Sequence, residues 1–141
     1  MFDVVVPRAV EREITAPDHL YPARIYPDAA LFQELRSLMR DPPEVEPPPL
    51  AVFGGGEAAA IALAQLLQLT VLVNDRRAAG FARNLGLAVL TIPDTIVPLR
   101  SQELIPDHMA RAMLAASRRH GTAPTLVAAA SPVLDLLIQK S

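Results

Sequence analysis

Residues 54–91 constrain the fold most, because helical and strand-like patterns alternate there at short intervals. Three glycines at 54–56 precede the run EAAAIALAQLL, which is apolar on nearly every face. A helix with apolar side chains all round must be buried on all sides. This run therefore predicts a central helix in a small domain.

The following segments predict two strands joined by an amphipathic helix. Residues 70–73 are mostly β-branched and aliphatic, and Asp75 comes soon after them. Residues 76–85 place apolar side chains at helical spacing, with Gly86 as the expected stop, and residues 88–92 predict a second strand. A strand, a helix and a strand in this order form a βαβ unit, so the two strands should be parallel.

Length and composition are those of one globular domain. The chain has 141 residues, of which 51% are hydrophobic and only 4% aromatic, so it predicts a single domain over 1–141 with an aliphatic core. The proline-rich residues 41–49 should form an exposed connector, and residues 106–141 a helical tail. Near the start, residues 4–6 predict a strand and residues 8–14 a short helix.

A further helix is predicted over residues 28–40. Asp28 can cap this helix, and its leucines recur at helical spacing and should lie on one face. The leucines are Leu31, Leu35 and Leu38. In the helical tail, the side chains expected to point inward are Met109, Ala112, Met113 and Ala116.

Charge and cysteine usage exclude several function classes. The net charge is −2, which provides no global attraction for nucleic acid, although a metal-dependent nuclease also has an acidic site. The absence of cysteine excludes disulfides, thiolate zinc sites and cysteine nucleophiles. The charged N-terminus and the lack of an apolar run of about 20 residues predict a cytoplasmic protein without a membrane segment.

Three acidic residues are candidates for a shared site. Asp75 follows a predicted strand, Glu57 opens the buried helix, and Glu13 lies on the helix after the first strand. Ligands bind at the carboxyl ends of parallel strands, and converging carboxylates suit Mg²⁺ or Mn²⁺. Each acid also has a simpler interpretation, since Asp75 can cap a helix, Glu57 can interact with a helix dipole, and Glu13 can be solvated.

Basic residues follow one of these acids directly. Arg76, Arg77 and Arg83 share one predicted helix. They can hold a polynucleotide backbone near a metal site, or they can form an ordinary solvated face. The glycines at 54–56 lack the GK[ST] ending of a phosphate loop, and the scattered histidines do not predict a zinc site.

The block GGGEAAAIALAQLLQLTVLVNDRRAAGFARNLGLAVLT resembles the later half of PIN-like domains, whose pattern reads GEAEAIALA…DDRRAR…A…GL.V. The opening FDVVVPRAVEREI is similar to the segment of that family in which a VVVP strand leads into an acid-bearing helix. The resemblance covers roughly residues 2–110 and is most specific in the middle block.

This resemblance implies a Rossmann-like, three-layer α/β/α fold with a short parallel sheet. It also implies that Glu13, Glu57 and Asp75 bind Mg²⁺ or Mn²⁺ and take part in the hydrolysis of phosphodiester bonds in RNA. Many relatives are ribonuclease toxins that a small antitoxin protein inhibits. The RNA-binding residues would be Arg76, Arg77 and Arg83.

The chain also departs from the family pattern. The usual first strand and its catalytic Asp precede the point at which this sequence begins, Ala59 replaces an acid, and Asn74 replaces the first Asp of DDRR. Two functions follow as alternatives: an RNA hydrolase of toxin type, or a degenerate PIN-like module that binds a protein or nucleic acid. An apolar sheet without its central strand should be covered, which predicts a homodimer.

Overall fold

The computed structural model describes residues 3–17, 20, 27–45, 53–119 and 122–139. It is 67% helical and contains a two-stranded parallel sheet, which gives a mixed α/β fold. The chain divides into two compact units, Met1–Leu69 and Thr70–Ser141. No helix in the described ranges is long and apolar enough to cross a membrane.

The first unit is built from helices. They are α1 (Arg8–Thr15), α2 (Pro27–Leu35), a 3-10 turn (Arg36–Leu38) and α3 (Gly55–Leu67). Helix α1 packs against both α3 and α2. The strand predicted at 4–6 is reduced to one parallel bridge between Val5 and Arg40.

Helix α3 forms the buried centre of this unit. The prediction that this helix is buried on all sides holds only in part, since Leu66 is 59% exposed. The buried residues are Gly56, Ala58, Ala59, Ile61, Leu63 and Ala64. The helix ends where Gln68 adopts a left-handed conformation with φ of 55°. Small alanine side chains on α3 allow neighbouring elements to approach its backbone closely.

The leucine face predicted for α2 is not the buried face. Leu31, Leu35 and Leu38 are 54%, 40% and 78% exposed, whereas Ala29 and Phe32 are buried. The regular helix also ends at Leu35, before the 3-10 turn. Helical spacing correctly indicated a helix here but could not show which side the rest of the chain covers.

Ion pairs connect the segment after α2 to the start of the unit. The Arg36 guanidinium donates to Asp41 Oδ1 at 2.5 Å and lies 3.5 Å from Glu11 Oε1 on α1. Arg40 donates to Asp3 at 2.8 Å. The hydrogen bond from Arg36 lowers the pKa of the exposed Asp41 carboxyl below its usual value.

The second unit opens with the predicted βαβ arrangement. Strand β1 (Val71–Leu72) pairs in parallel with β2 (Val89–Leu90), and α4 (Arg76–Asn84) connects them. The Val71 amide donates to the Ala88 carbonyl at 2.9 Å. The parallel orientation predicted for these strands is therefore confirmed, although both strands are shorter than expected.

Helix α5 (Ile92–Ser101) was not predicted, since residues 88–92 were assigned to a strand and nothing helical was expected after them. Its N-terminus is a capping box in which the Thr91 amide and hydroxyl both donate to Asp94 Oδ2, at 2.8 and 2.7 Å. The T-x-x-D spacing was the available sequence signal, and Pro93 fits the first turn.

Two longer helices, α6 (Asp107–Arg119) and α7 (Pro124–Gln139), complete the unit. Both pack against α5, and their shared core consists of Ile96, Ala110, Leu114, Ala130 and Leu134. The inward face predicted for α6 was displaced by one position, since Met109 is 43% exposed while Ala110 is fully buried. Helix α7 continues through Pro132.

Candidate functional site

Two of the candidate carboxylates lie at the first turn of α3. Glu57 belongs to that turn, and its carboxyl carbon lies 3.5 Å from where a β-carbon on Gly54 would stand. Glu13 comes from α1, the helix that packs on α3. The α1–α3 packing thus brings Glu13 to the glycine turn that Glu57 also borders.

Gly56 makes room for the Glu13 carboxylate. A β-carbon built on Gly56 would lie 3.0 Å from the Glu13 carboxyl carbon and still closer to one of its oxygens. Gly56 is itself buried, so the carboxylate rests directly on the helix backbone. Any side chain at position 56 must therefore displace Glu13.

The N-terminus of α3 carries no capping side-chain hydrogen bond. Gly54 is the N-cap residue, and its carbonyl accepts a hydrogen bond from the Ala58 amide at 3.0 Å. The positive end of the helix dipole favours negative charge at this point. It therefore reduces the repulsion between two carboxylates placed at the same turn.

The donor set at this turn is compatible with a hard cation. Glu13 and Glu57 provide carboxylate oxygens, and Mg²⁺ commonly binds to one or two protein carboxylates while keeping several waters. Glu13 is exposed and Glu57 is half-buried, so both can be reached from solvent. Within the described residues there is no group of three or more acidic, histidine or cysteine side chains that could hold a metal.

Asp75 lies in the second unit, immediately after β1, and it caps α4. Its Oδ1 accepts a hydrogen bond from the Ala78 amide at 2.8 Å. This is the simpler of the two interpretations considered for Asp75, and it occupies one carboxylate oxygen. The residue is exposed, so its other oxygen remains accessible.

Asn74 connects two parts of the second unit. Its Nδ2 donates to the hydroxyl of the buried Thr122 at 2.7 Å, while its Oδ1 is buried without a partner among the described residues. An Asp at this position would lack the amide hydrogens that make this bond. Nothing in the sequence pattern indicated Thr122, because 48 positions separate the two residues.

The three candidate RNA-binding arginines lie on the solvent side of α4. Arg76, Arg77 and Arg83 are all exposed. None of them forms an ion pair with any residue in the described ranges. This distinguishes them from Arg36, Arg40, Arg100 and Arg111, which all bind carboxylates.

No family model, curated protein or solved structure matches the chain.

Proposed function

We propose that this protein is a PIN-like domain that hydrolyses RNA with the help of Mg²⁺ or Mn²⁺. The observation that carries the proposal is the position of Glu13 on the first turn of α3, which also bears Glu57. Two acids distant in the sequence share a turn because α1 packs on α3. The parallel β1–β2 pair with its α4 connection supports the Rossmann-like three-layer arrangement that is part of the proposal.

Each group has a distinct role in this reaction. Glu13 and Glu57 would hold the ion, and the resemblance to PIN-like domains also assigns Asp75 a metal-binding role. The ion, when bound, would lower the pKa of an attacking water and stabilise charge on the phosphodiester. Arg76, Arg77 and Arg83 would hold the RNA backbone through its phosphates.

A second candidate function is RNA binding without cleavage. Two observations in the second unit favour it: Asp75 already accepts the capping hydrogen bond from Ala78, and the Asn74 amide is engaged by Thr122. Both side chains have structural roles that need no metal. In this alternative the arginines of α4 still contact RNA.

Cleavage of labelled RNA in Mg²⁺ or Mn²⁺ tests the proposal. Glu13→Gln, Glu57→Gln and Asp75→Asn should each reduce the rate by about 100-fold or more, because the attacking water loses its position. Asp75→Asn is suitable since asparagine caps a helix as well as aspartate does, so folding is preserved. Glu34→Gln is the matched control, because Glu34 is an exposed acid on α2 without an ion pair to the described residues.

Cleavage that survives the three substitutions would refute the assignment of the site. RNA binding by the wild-type protein without cleavage in either metal would favour the second candidate. The homodimer and the antitoxin partner stay predictions, and sedimentation at micromolar concentration tests the first of them.

A further inference from the structure

The outer face of α4 is positively charged and has no acidic residue of its own. The helix sequence is RRAAGFARN, and its buried side consists of Ala78, Ala79 and Ala82. The arginines occupy the exposed side, and Asp75 at the N-cap is the neighbouring acid in the chain. In a chain of net charge −2, this face is a local concentration of positive charge.

Gly80 lies at the middle of this face, although glycine is unfavourable in a helix. Arg76, Gly80 and Arg83 follow one another at i, i+4 and i+7, so they form one row along the helix. A β-carbon built on Gly80 would meet nothing within 4 Å, and the residue has no positive φ. The described structure therefore gives no packing reason or conformational reason for glycine there.

The contrast with Gly56 is informative. At Gly56 an added β-carbon would collide with Glu13, so the protein itself uses the space. At Gly80 no neighbour among the described residues occupies the corresponding space. Because glycine in a helix is less favourable than alanine, its presence is explained if another molecule approaches the backbone at this point.

Phe81 adds an aromatic side chain beside the same row. It is 39% exposed, and it lies four residues after Arg77, on the adjacent row of the helix. Proteins that bind single-stranded nucleic acid combine cationic side chains along the backbone with aromatic side chains on which bases stack. Arginines and an exposed phenylalanine on one short helix provide both elements.

We propose that a single-stranded nucleic acid lies along this face of α4, with its sugar-phosphate backbone closest to the helix at Gly80. Arg76 and Arg83 are about 10 Å apart along the helix axis, so they contact different phosphates. Phe81 contacts a base beside them. The inference rests on the proposed function only for the class of ligand, which is RNA. It therefore applies whether or not the protein cleaves the RNA that it binds.

Single-stranded nucleic acid fits this face better than an acidic protein does. An acidic peptide would satisfy the arginines but would not require a gap at Gly80 or an exposed aromatic side chain. Bases in a duplex are already stacked on one another, so an aromatic side chain stacks more readily on the bases of a single strand. Binding of poly-glutamate is accordingly a contrasting outcome in the test.

The experiment measures binding of a fluorescent single-stranded RNA by anisotropy, in EDTA so that cleavage does not interfere. The test variant combines Arg76→Gln, Arg77→Gln and Arg83→Gln. The control combines Arg12→Gln, Arg118→Gln and Arg119→Gln, which removes the same charge from exposed arginines of α1 and α6. These control arginines also form no ion pair with the described residues.

The test variant should reduce the slope of log affinity against log salt by about two, and the control should leave it nearly unchanged. When the salt concentration rises from 50 to 200 mM, loss of the phosphate contacts of these three arginines should lower the affinity of the wild-type protein for RNA by roughly 20-fold. Equal slopes for the test and control variants would overturn the inference and the role proposed for these arginines, while leaving RNA binding and metal-dependent hydrolysis intact.

Gly80→Ala and Gly80→Leu separate a binding role from a structural one. Both should raise the melting temperature, because they improve helix propensity without a collision. Gly80→Leu should nevertheless weaken RNA binding more than Gly80→Ala does. Unchanged affinity in Gly80→Leu would overturn the close approach at this residue.

Three further outcomes separate the inference from the proposed function. A wild-type protein that binds no RNA would overturn both the inference and the proposed function. A protein that binds poly-glutamate through the α4 arginines, but not RNA, would overturn the nucleic acid as the occupant. RNA binding without any cleavage would support the inference and contradict only the hydrolase.

Discussion

Helices α3 and α4 differ in how their N-termini acquire negative charge. At α4 the N-cap Asp75 supplies the charge locally and uses it to bind the Ala78 amide. At α3 the N-cap is Gly54, which has no side chain, and a carboxylate reaches the first turn from another helix, α1. A carboxylate that belongs to a cap is part of the local fold, whereas one that arrives through tertiary packing is available for a ligand.

The arginines of α4 also differ from Arg8 and Arg36 in how their charges are paired. Around α1 and α2, Arg8 and Arg36 are neutralised by Glu11 and Asp41. On α4 the arginines have no such partner in the described ranges. Although the net charge of the chain is small, the second unit therefore has a cationic surface whose arginines form no ion pair with the described residues.

The largest expected effects come from one matched substitution in each unit. Ile61 on α3 and Ile96 on α5 are both fully buried, so alanine at either position leaves a cavity of similar size. Each substitution should lower the free energy of unfolding by about 3 kcal/mol, measured by chemical denaturation. Leu104→Ala is the control, since Leu104 is 64% exposed and should change the stability little.

One of the two substitutions can lower the free energy of unfolding by less than about 1 kcal/mol while the other has its full effect. That result would show that the unit with the smaller loss repacks around the cavity. That result would sharpen the comparison, because it would identify the more deformable core.

Gly56→Ala tests the availability of the carboxylates at α3. The new methyl group displaces the flexible end of Glu13, so the stability should change by no more than about 1 kcal/mol in either direction. Affinity for Mn²⁺, measured by calorimetry, should fall by at least about tenfold. Gly80→Ala is the matched control, because its methyl group meets nothing.

Unaltered Mn²⁺ affinity in Gly56→Ala would separate Glu13 from any metal site. Reduced affinity in Gly80→Ala would show instead that the effect spreads through the helices generally.

The smallest effect concerns the ion pair between Arg36 and Asp41. Since Arg36 lowers the folded-state pKa of Asp41, the pair stabilises the fold at pH values above the usual carboxyl pKa of 3.8. This contribution is lost as the pH falls through the lowered pKa. The stability difference between the wild-type protein and Asp41→Asn should thus be present at neutral pH and disappear in acid.

Both side chains are accessible, so the difference should be small and decrease with added salt. A difference that persists in strong acid would show that Asp41 contributes through something other than its charge.

Several elements were predictable because they depend on local patterns. The apolar run specified the helix α3 but not its exposed side, and a strand–helix–strand order specified the parallel pairing of β1 and β2. Helix α5 was missed although its T-x-x-D capping box was visible, since the aliphatic residues before it favoured a longer strand. The leucines of α2 are exposed although they recur at helical spacing, because periodicity does not specify which side of a helix is covered.

The features of the candidate site also fall into two groups, those set by neighbours in the chain and those set by tertiary packing. The sequence by itself determined that Glu57 opens a buried helix, that Asp75 follows a strand, and that three arginines share a helix, since each depends on neighbours in the chain. Only the tertiary structure decided that Glu13 rests on Gly56, that Asn74 binds Thr122, and that no described neighbour lies within 4 Å of a β-carbon at Gly80. These relations join distant residues or concern empty space, and both are set by how whole helices pack.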